Sequence, residues 1–372
     1  MMQPLNILES LERLEGIVDG GRFPHLSGLA PGLSAKRLNQ LESDSRRELW
    51  DELRALYAWR NGGDELFPGN HWFPLSEALQ RGRVAKASGV VVSLFRQGRS
   101  ADLIVDLEQT DSSVSRLVDG ARHPVLEYES LSHLIAVVAD GYERGAFFVR
   151  QHQLDVRPMA VKALWMRHAS DRMRSMVEEA WTRLQLEVDE AWGRASGIRR
   201  RELVDKLTLS CDPRALPLLR PLLEDGDDAV RAAAVRALGT LRDHGIKRRL
   251  PRLLVDNSDL VRVHATETAA LLVDPEDEDL REPLVFNLED KLAAVRDSAT
   301  AAVSHMRLDA ALPLIRKILM DDSPEVALEA VRALERSKDP DSRAAVEEAR
   351  EHWRSHAPEL VRAMDDALTS WP

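Results

Sequence analysis

The sequence predicts an α+β N-terminal domain followed by an all-α helical-repeat solenoid, and three observations carry that prediction. The last third of the chain repeats one pattern four times. The first 150 residues set strand-like runs between helical ones. The stretch joining these regions carries apolar residues at helical spacing with little Gly or Ser. In the repeat, an aspartate is followed five positions later by Val, usually with Arg next, and then by Ala four residues after the Val. The copies are Asp225…Val230-Arg231…Ala234, Asp256…Val261-Arg262…Ala265, Asp290…Val295-Arg296…Ala299 and Asp321…Val326-Ala327…Ala330. Their aspartates lie 31, 34 and 31 residues apart. A period in this range means stacked helical pairs, each too small to bury its own apolar face.

The residues of one copy explain how such a pair forms. Leu223, Leu254, Leu288 and Leu319 each precede the aspartate by two and close a first helix. The Val and Ala, four apart, share one stripe of a second helix, and the small Ala lets helices approach closely. The aspartate is expected to accept turn amides, and the Arg to reach the aspartate of its own or a neighbouring repeat. Ala215-Leu216-Pro217-Leu218-Leu219-Arg220 and Ala311-Leu312-Pro313-Leu314-Ile315-Arg316 place Pro early in a first helix, where it is tolerated. Asp212-Pro213, Asp274-Pro275 and Asp339-Pro340 punctuate the junctions. These motifs resemble HEAT-like repeats of the short Val-Arg type. The solenoid is assigned to residues 201–372, its last unit a cap sealed by Trp353 and Trp371.

The N-terminal domain is assigned to residues 1–150. Leu38, Leu41, Leu49, Leu53, Leu56 and Tyr57 recur at helical spacing and predict a helical stretch over 33–60, stopped by Asn61-Gly62-Gly63. An aromatic-rich loop follows, Leu66-Phe67-Pro68-Gly69-Asn70-His71-Trp72-Phe73-Pro74-Leu75, and Ser76 is the expected N-cap of the next helix. Val90–Phe95 and Asp102–Leu107 read as strands joined by a turn at Gly98, with a third strand at Val125–Tyr128 leading into a helix over 131–142. Residues 151–200 read as connecting helices that end near Gly193, Ser196 and Gly197.

Several of these strings together match a family. Pro31-Gly32-Leu33-Ser34, Leu56-Tyr57-Ala58-Trp59-Arg60-Asn61-Gly62-Gly63, Leu66-Phe67-Pro68-Gly69 and Pro74-Leu75-Ser76-Glu77-Ala78-Leu79 resemble the SUKH superfamily, as do the Asp106-Leu107 strand end and the Ser130-Leu131 helix start. The resemblance spans roughly 30–150. It implies an α+β domain of a non-enzymatic kind. Many bacterial members are immunity proteins that bind and neutralise a cognate toxin, often a nuclease, while fungal members are regulatory scaffolds in cell-wall synthesis.

Composition bounds the function. The net charge is −11, from 62 acids against 51 Lys and Arg, which argues against nucleic acid and favours a basic protein partner. No apolar run approaches a bilayer span and the Met1–Asn6 start lacks a signal-peptide pattern, so a cytoplasmic protein is expected. No catalytic, cofactor or metal set emerges. His352 and His356, i and i+4, lack a third ligand. Asp277, Glu278 and Asp279 lack calcium-loop spacing and read as a turn. Cys211, the lone cysteine, reads as a small buried filler. The basic clusters Arg199-Arg200-Arg201 and Lys247-Arg248-Arg249 are each flanked by acids and read as interdomain or solvated contacts, with nucleic-acid binding the minority reading.

The candidate protein-binding residues are Asp64, Glu65, Asn70, His71 and Trp72, acidic, polar and aromatic side chains on one short connection. The competing reading assigns Phe67, Trp72 and Phe73 to the core, with Trp59. The expected mechanism is occlusion: an acidic surface meets a basic partner and covers its working site. An immunity protein is the specific expectation, and a scaffold using the concave face of the repeats the alternative. A DNA-handling enzyme built on HEAT-like repeats is third.

Overall fold

A computed structural model describes residues 6–81, 91–98, 100–108, 112–119, 121, 124–150, 153–192 and 195–371. Val90, Gly193 and the first five residues, which entered the sequence reading, lie outside these. The chain divides into two units, Met1–Ala180 and Trp181–Pro372.

The N-terminal unit opens with α1 (Ile7–Asp19), started by Asn6, whose side-chain oxygen accepts the Leu8 amide at 3.0 Å. The helical stretch expected over 33–60 is two helices, α2 (Ala35–Ser45) and α3 (Asp51–Trp59). The polar run Asp44-Ser45-Arg46-Arg47 offers no face to bury, and Arg46 turns left-handed at φ 54°. Glu42 then holds the break, accepting the Leu49 amide at 2.8 Å and the Arg54 guanidinium. After α3 come β1 (Gly63–Asp64), β2 (Asn70–Trp72) and α4 (Leu75–Arg81). Gly62 sits at φ +93°, where a Cβ would meet Pro74 N and Trp72 O at 2.8 Å, so the Gly-Gly stop is sterically required. Ser76 does not cap α4. The helix begins one residue earlier, and Asn61 reaches across the loop to accept the Leu75 amide at 3.0 Å.

The strands β3 (Val91–Gln97), β4 (Ala101–Asp106), β5 (Val114–Val118) and β6 (Val125–Tyr128) complete an antiparallel six-stranded sheet in the order β1 to β6. The β3–β4 hairpin turns at Gly98, φ +54°, as expected. The helix α5 (Leu131–Glu143) is buried almost along its whole length and belongs, with Trp72, Phe95, Leu103 and Val105, to one core. Its Tyr142 hydroxyl donates to Leu66 O at 2.8 Å, and Tyr57 donates to Phe73 O at 3.0 Å, so both buried phenols are satisfied. A hairpin of β7 (Phe147–Arg150) and β8 (Gln153–Val156) leads to α6 (Pro158–His168). The first of the expected connecting helices is therefore part of this domain: Leu164 enters its core and Trp165 donates to Glu127 O at 2.8 Å. Asp140, almost wholly buried, gathers Arg13, Arg144 and His168 and so ties α1 and α6 to α5. Burial would raise its pKa, but the Arg13 and His168 contacts hold it below the usual value.

The boundary between units falls within α7 (Asp171–Ala191), and α8 (Gly197–Ser210) starts the stack. The first helices are α9 (Leu216–Leu219), which Pro221 turns into a 3-10 segment, and then α11 (Leu250–Leu253), α13 (Glu278–Asn287), α15 (Leu312–Ile318) and α17 (Pro340–Trp353). The second helices are α10 (Asp228–Thr240), α12 (Asp259–Leu272), α14 (Ala293–His305), α16 (Pro324–Ser337) and α18 (Pro358–Ser370), and with α8 they pack in a row in chain order. Val230, Val261, Val295 and Val326 and the four repeat alanines are all buried. Gly239 marks a close crossing, since a Cβ there would meet Thr268 Oγ1 of α12 at 2.4 Å. At the end of the stack Trp353 donates to Leu319 O at 2.8 Å and Trp371 is buried.

Candidate functional site

Charge in the repeat unit is organised as a ladder. Each repeat aspartate accepts the amide two residues on: Asp227 onto Asp225, Ser258 onto Asp256, Leu292 onto Asp290 and Ser323 onto Asp321, all at 2.9 Å. The remaining carboxylate capacity takes the arginine of the preceding unit. Arg231 reaches Asp256 at 3.0 and 3.2 Å, Arg262 reaches Asp290 at 2.8 and 3.4 Å, and Arg296 reaches Asp321 at 2.6 Å through two nitrogens. Each of these arginines also donates to the main-chain oxygen of its own repeat's aspartate, at 2.8 to 2.9 Å. One side chain thus binds two successive turns, and Arg200 begins the series by donating to Asp225 at 2.9 Å. Both Asp256 and Asp321 sit below the ordinary aspartate pKa: burial opposes this, and the arginine and turn amide outweigh it. The ladder ends where Ala327 replaces Arg.

Several members of the basic clusters are also paired. Arg199 pairs with Glu202 and Glu187, Lys247 bridges Asp274 and Asp277 at 2.6 Å, and Arg249 meets Glu224 at 3.2 Å. Asp277, in the acidic turn, also accepts the Asp274 amide at 2.7 Å. His352 and His356 do not share a helix: α17 stops at Trp353, and the His356 ring lies 3.0 Å from Ser355 Oγ. Cys211 is half-buried and closes α8 in a left-handed conformation, φ 49°, which is a helix-ending position and not the buried filler expected. Among the described residues no three His, Cys, Asp or Glu side chains are placed to hold a metal ion, and no helix is long and apolar enough to cross a membrane.

The five candidate binding residues separate into two groups. Trp72 is fully buried between Trp59, Tyr57 and Phe95, and Asn70 is buried with its side-chain oxygen accepting the Phe67 amide at 2.7 Å. Neither presents a surface, because the tight turn Phe67-Pro68-Gly69-Asn70, with Gly69 at φ +72°, folds the loop inward. Phe67 and Phe73 are buried with them. Asp64 and His71 face solvent, paired across β1 and β2 at 2.6 Å, and Glu65 is half-buried beside them. The sheet register carries this pair into a longer row, Asp64, His71, Arg96 and Asp102 on four successive strands. Arg96 joins Asp102 at 2.9 Å and Asp119 at 2.5 Å, and Arg81 lies over the Phe73 ring at 4.1 Å. Arg96, Asp102, Asp119 and Arg81 are absent from the sequence-based set. The signal for two of them was the period-2 alternation of β3 and β4, which sends Arg96 and Asp102 to the face opposite Phe95 and Leu103.

On the repeat unit, α8, α10 and α12 enclose a groove of about 320 Å³ with a floor of Ala229, Ala232 and Ala233. Ile198 and Leu260 flank it, 64% and 46% exposed. The rim is polar, and Arg236 pairs there with Asp205 at 2.7 Å. The groove thus sets apolar exposure above a small-residue floor.

Among the comparisons with known proteins, the family match falls on this unit. The HEAT repeats family matches residues 194–271, from the start of α8 to the end of α12. A designed armadillo repeat protein is similar at 25% identity and TM-score 0.37, over 46% of this chain and 87% of that one. An engineered protein is similar at 18% identity and TM-score 0.40, over 64% and 70%. The complex of CpcE and CpcF of phycocyanin lyase from Nostoc sp. PCC7120 is similar at 17% identity and TM-score 0.33, over 40% and 96%. No curated protein matches the chain. The class is a strand-containing N-terminal domain followed by a HEAT-like helical-repeat region.

Proposed function

We propose that the chain is a non-enzymatic, cytoplasmic protein-binding scaffold in which the second-helix row of the repeats holds a protein partner. The observation that carries this is the groove over α8, α10 and α12, where Ile198 and Leu260 stand exposed on the stretch matched by the HEAT family. The ladder supports it by fixing successive turns to one another, so the row meets a partner already ordered and loses little freedom on binding.

A finer reading makes the protein an immunity protein that occludes a basic toxin. Its support is the resemblance of residues 30–150 to the SUKH superfamily, the charge of −11 and the solvent-facing Asp64–His71 pair with Glu65 beside it. The two readings place the partner on different units, and one experiment separates them. The tagged full-length protein is crosslinked in its native cells and its partners identified by mass spectrometry, beside Ile198→Glu/Leu260→Glu and Asp64→Lys/His71→Glu variants. Loss of a defined partner only in the first variant establishes the scaffold reading. Loss of one basic, toxin-like partner only in the second establishes the immunity reading. Retention of every partner by both variants defeats both.

A further inference from the structure

A second groove, of about 680 Å³, lies where the turn after Leu254 meets α13, and its exposed aromatic residue breaks the pattern of the repeats. Phe286 precedes Leu288 by two. The corresponding positions in the other copies are Pro221, Arg252 and Lys317, residues at ease in water. Phe286 is 67% exposed. Val255, 51% exposed, lines the same groove together with Pro283. An apolar cleft in the midst of charge is where a partner side chain gains most by leaving water.

The charges around the groove define which side chain. Five carboxylates line it against two cations. Both cations are already committed, Arg262 to Asp290 and Asp259 and Lys291 to Asp259 at 2.9 Å. Glu282 and Glu289 are exposed and have no ion-pair partner among the described residues. The groove therefore presents unspent negative charge beside an aromatic face.

We propose that this groove docks an arginine-bearing segment of a partner protein, with Phe286 as the anchor and Glu282 and Glu289 as the charge partners. Arginine suits it better than lysine. Its planar guanidinium stacks on the Phe286 ring while its N–H groups donate to carboxylates, and its stem lies along Val255 and Pro283. This rests on the protein-binding reading above and names the partner's chemistry at a second place on the repeat unit.

The test titrates the full-length protein into fluorescein-labelled peptides of alternating Arg and Leu, Lys and Leu, and Glu and Leu, read by anisotropy. The Arg peptide binds saturably, the Lys peptide more weakly and the Glu peptide not at all. Phe286→Ser weakens Arg-peptide binding by about five- to tenfold with the thermal midpoint unchanged, since the side chain is solvent-facing. Glu282→Gln/Glu289→Gln also weakens it and makes the remaining binding less sensitive to salt. Lys317→Ala, the same position one repeat on, leaves binding intact. Absence of saturable binding overturns the proposal. So does weakening by the Gln variant with none by Phe286→Ser, which describes a diffuse acidic surface. If the crosslinked partner is retained through Ile198 and Leu260 while the Arg peptide fails, the groove assignment falls and the scaffold reading stands.

Discussion

In the N-terminal unit, charge converges: Asp140 gathers Arg13 of α1, His168 of α6 and Arg144 at the end of its own helix at one buried point, inside a fold whose core is aromatic and aliphatic. In the repeat unit, charge is distributed, one arginine to each step, over a core of Val, Leu and Ala. The difference follows from topology. A sheet crossed by one long buried helix brings distant segments together once, so each contact is unique. A stack of helical pairs repeats one local contact between neighbours. Loss of a single contact should therefore act globally in the first unit and locally in the second.

Trp72→Ala breaks this comparison most strongly. The indole fills the space between Trp59, Tyr57 and Phe95, and its removal is expected to cost about 3–5 kcal/mol. Chemical denaturation followed by near-UV circular dichroism measures this. A loss under about 1 kcal/mol would contradict the burial and return Trp72 to the candidate interface.

Next comes the middle of the ladder. Asp290→Ala leaves the Leu292 amide without its acceptor and strips a half-hidden Arg262 of its bidentate partner, at a cost of about 2–4 kcal/mol. Amide hydrogen exchange should show lost protection in α12 to α14 with the N-terminal unit unaffected. Uniform loss across both units would mean that the repeats do not behave as a chain of neighbours.

Legibility in the sequence divides along the same line. The repeats are readable because each rule is local: an aspartate capping its own turn, a Val and Ala one helical turn apart, and a Pro at a helix start. Even the end of the ladder is written there, as Ala327. The partner of each arginine is not, because the sequence offers both the aspartate six residues before it and that of the next repeat, 25 to 28 residues on, and stacking decides between them. In the N-terminal unit, β3 and β4 are legible as apolar alternating runs, whereas β5, Val114-Ser115-Arg116-Leu117-Val118, is a strand because its neighbours pair with it. The candidate loop fails in part for a related reason. Asp64 and His71 were recognisable as surface residues by type, but Trp72 is a plausible anchor or a plausible core residue until the turn at Gly69 settles its direction.

A smaller effect separates the units by pH. In the row of second helices, Asp297 of α14 is pushed from the ordinary 3.8 up to about 6, first by burial and then by Glu329, with Arg332 opposing. An acid whose folded pKa is raised contributes stability that is present below its unfolded value and lost as pH rises through about 6. Between pH 4 and 7 this removes about 1 kcal/mol from the repeat unit, reduced by water at a half-exposed group. The ladder carboxylates Asp256 and Asp321, held low, act in the opposite sense: their contribution is present above the unfolded value and lost as pH falls through the folded one. Asp297→Asn should flatten the slope between pH 4 and 7 and leave the acid limb in place. A slope unchanged by the substitution would show that another group carries it.

The smallest expected stability change is the most informative about function. His71→Ala removes an exposed cross-strand pair with Asp64, which contributes no more than about 0.5 kcal/mol to folding. Stability and partner binding thus come apart at this position, as they cannot at Trp72. If His71→Ala folds normally and keeps its partner, the outer row of the sheet serves only the domain's own surface. If it folds normally and loses a basic partner, the row of Asp64, His71, Arg96 and Asp102 is an interface, and the charge that converges at Asp140 inside the domain has an outward counterpart on the sheet.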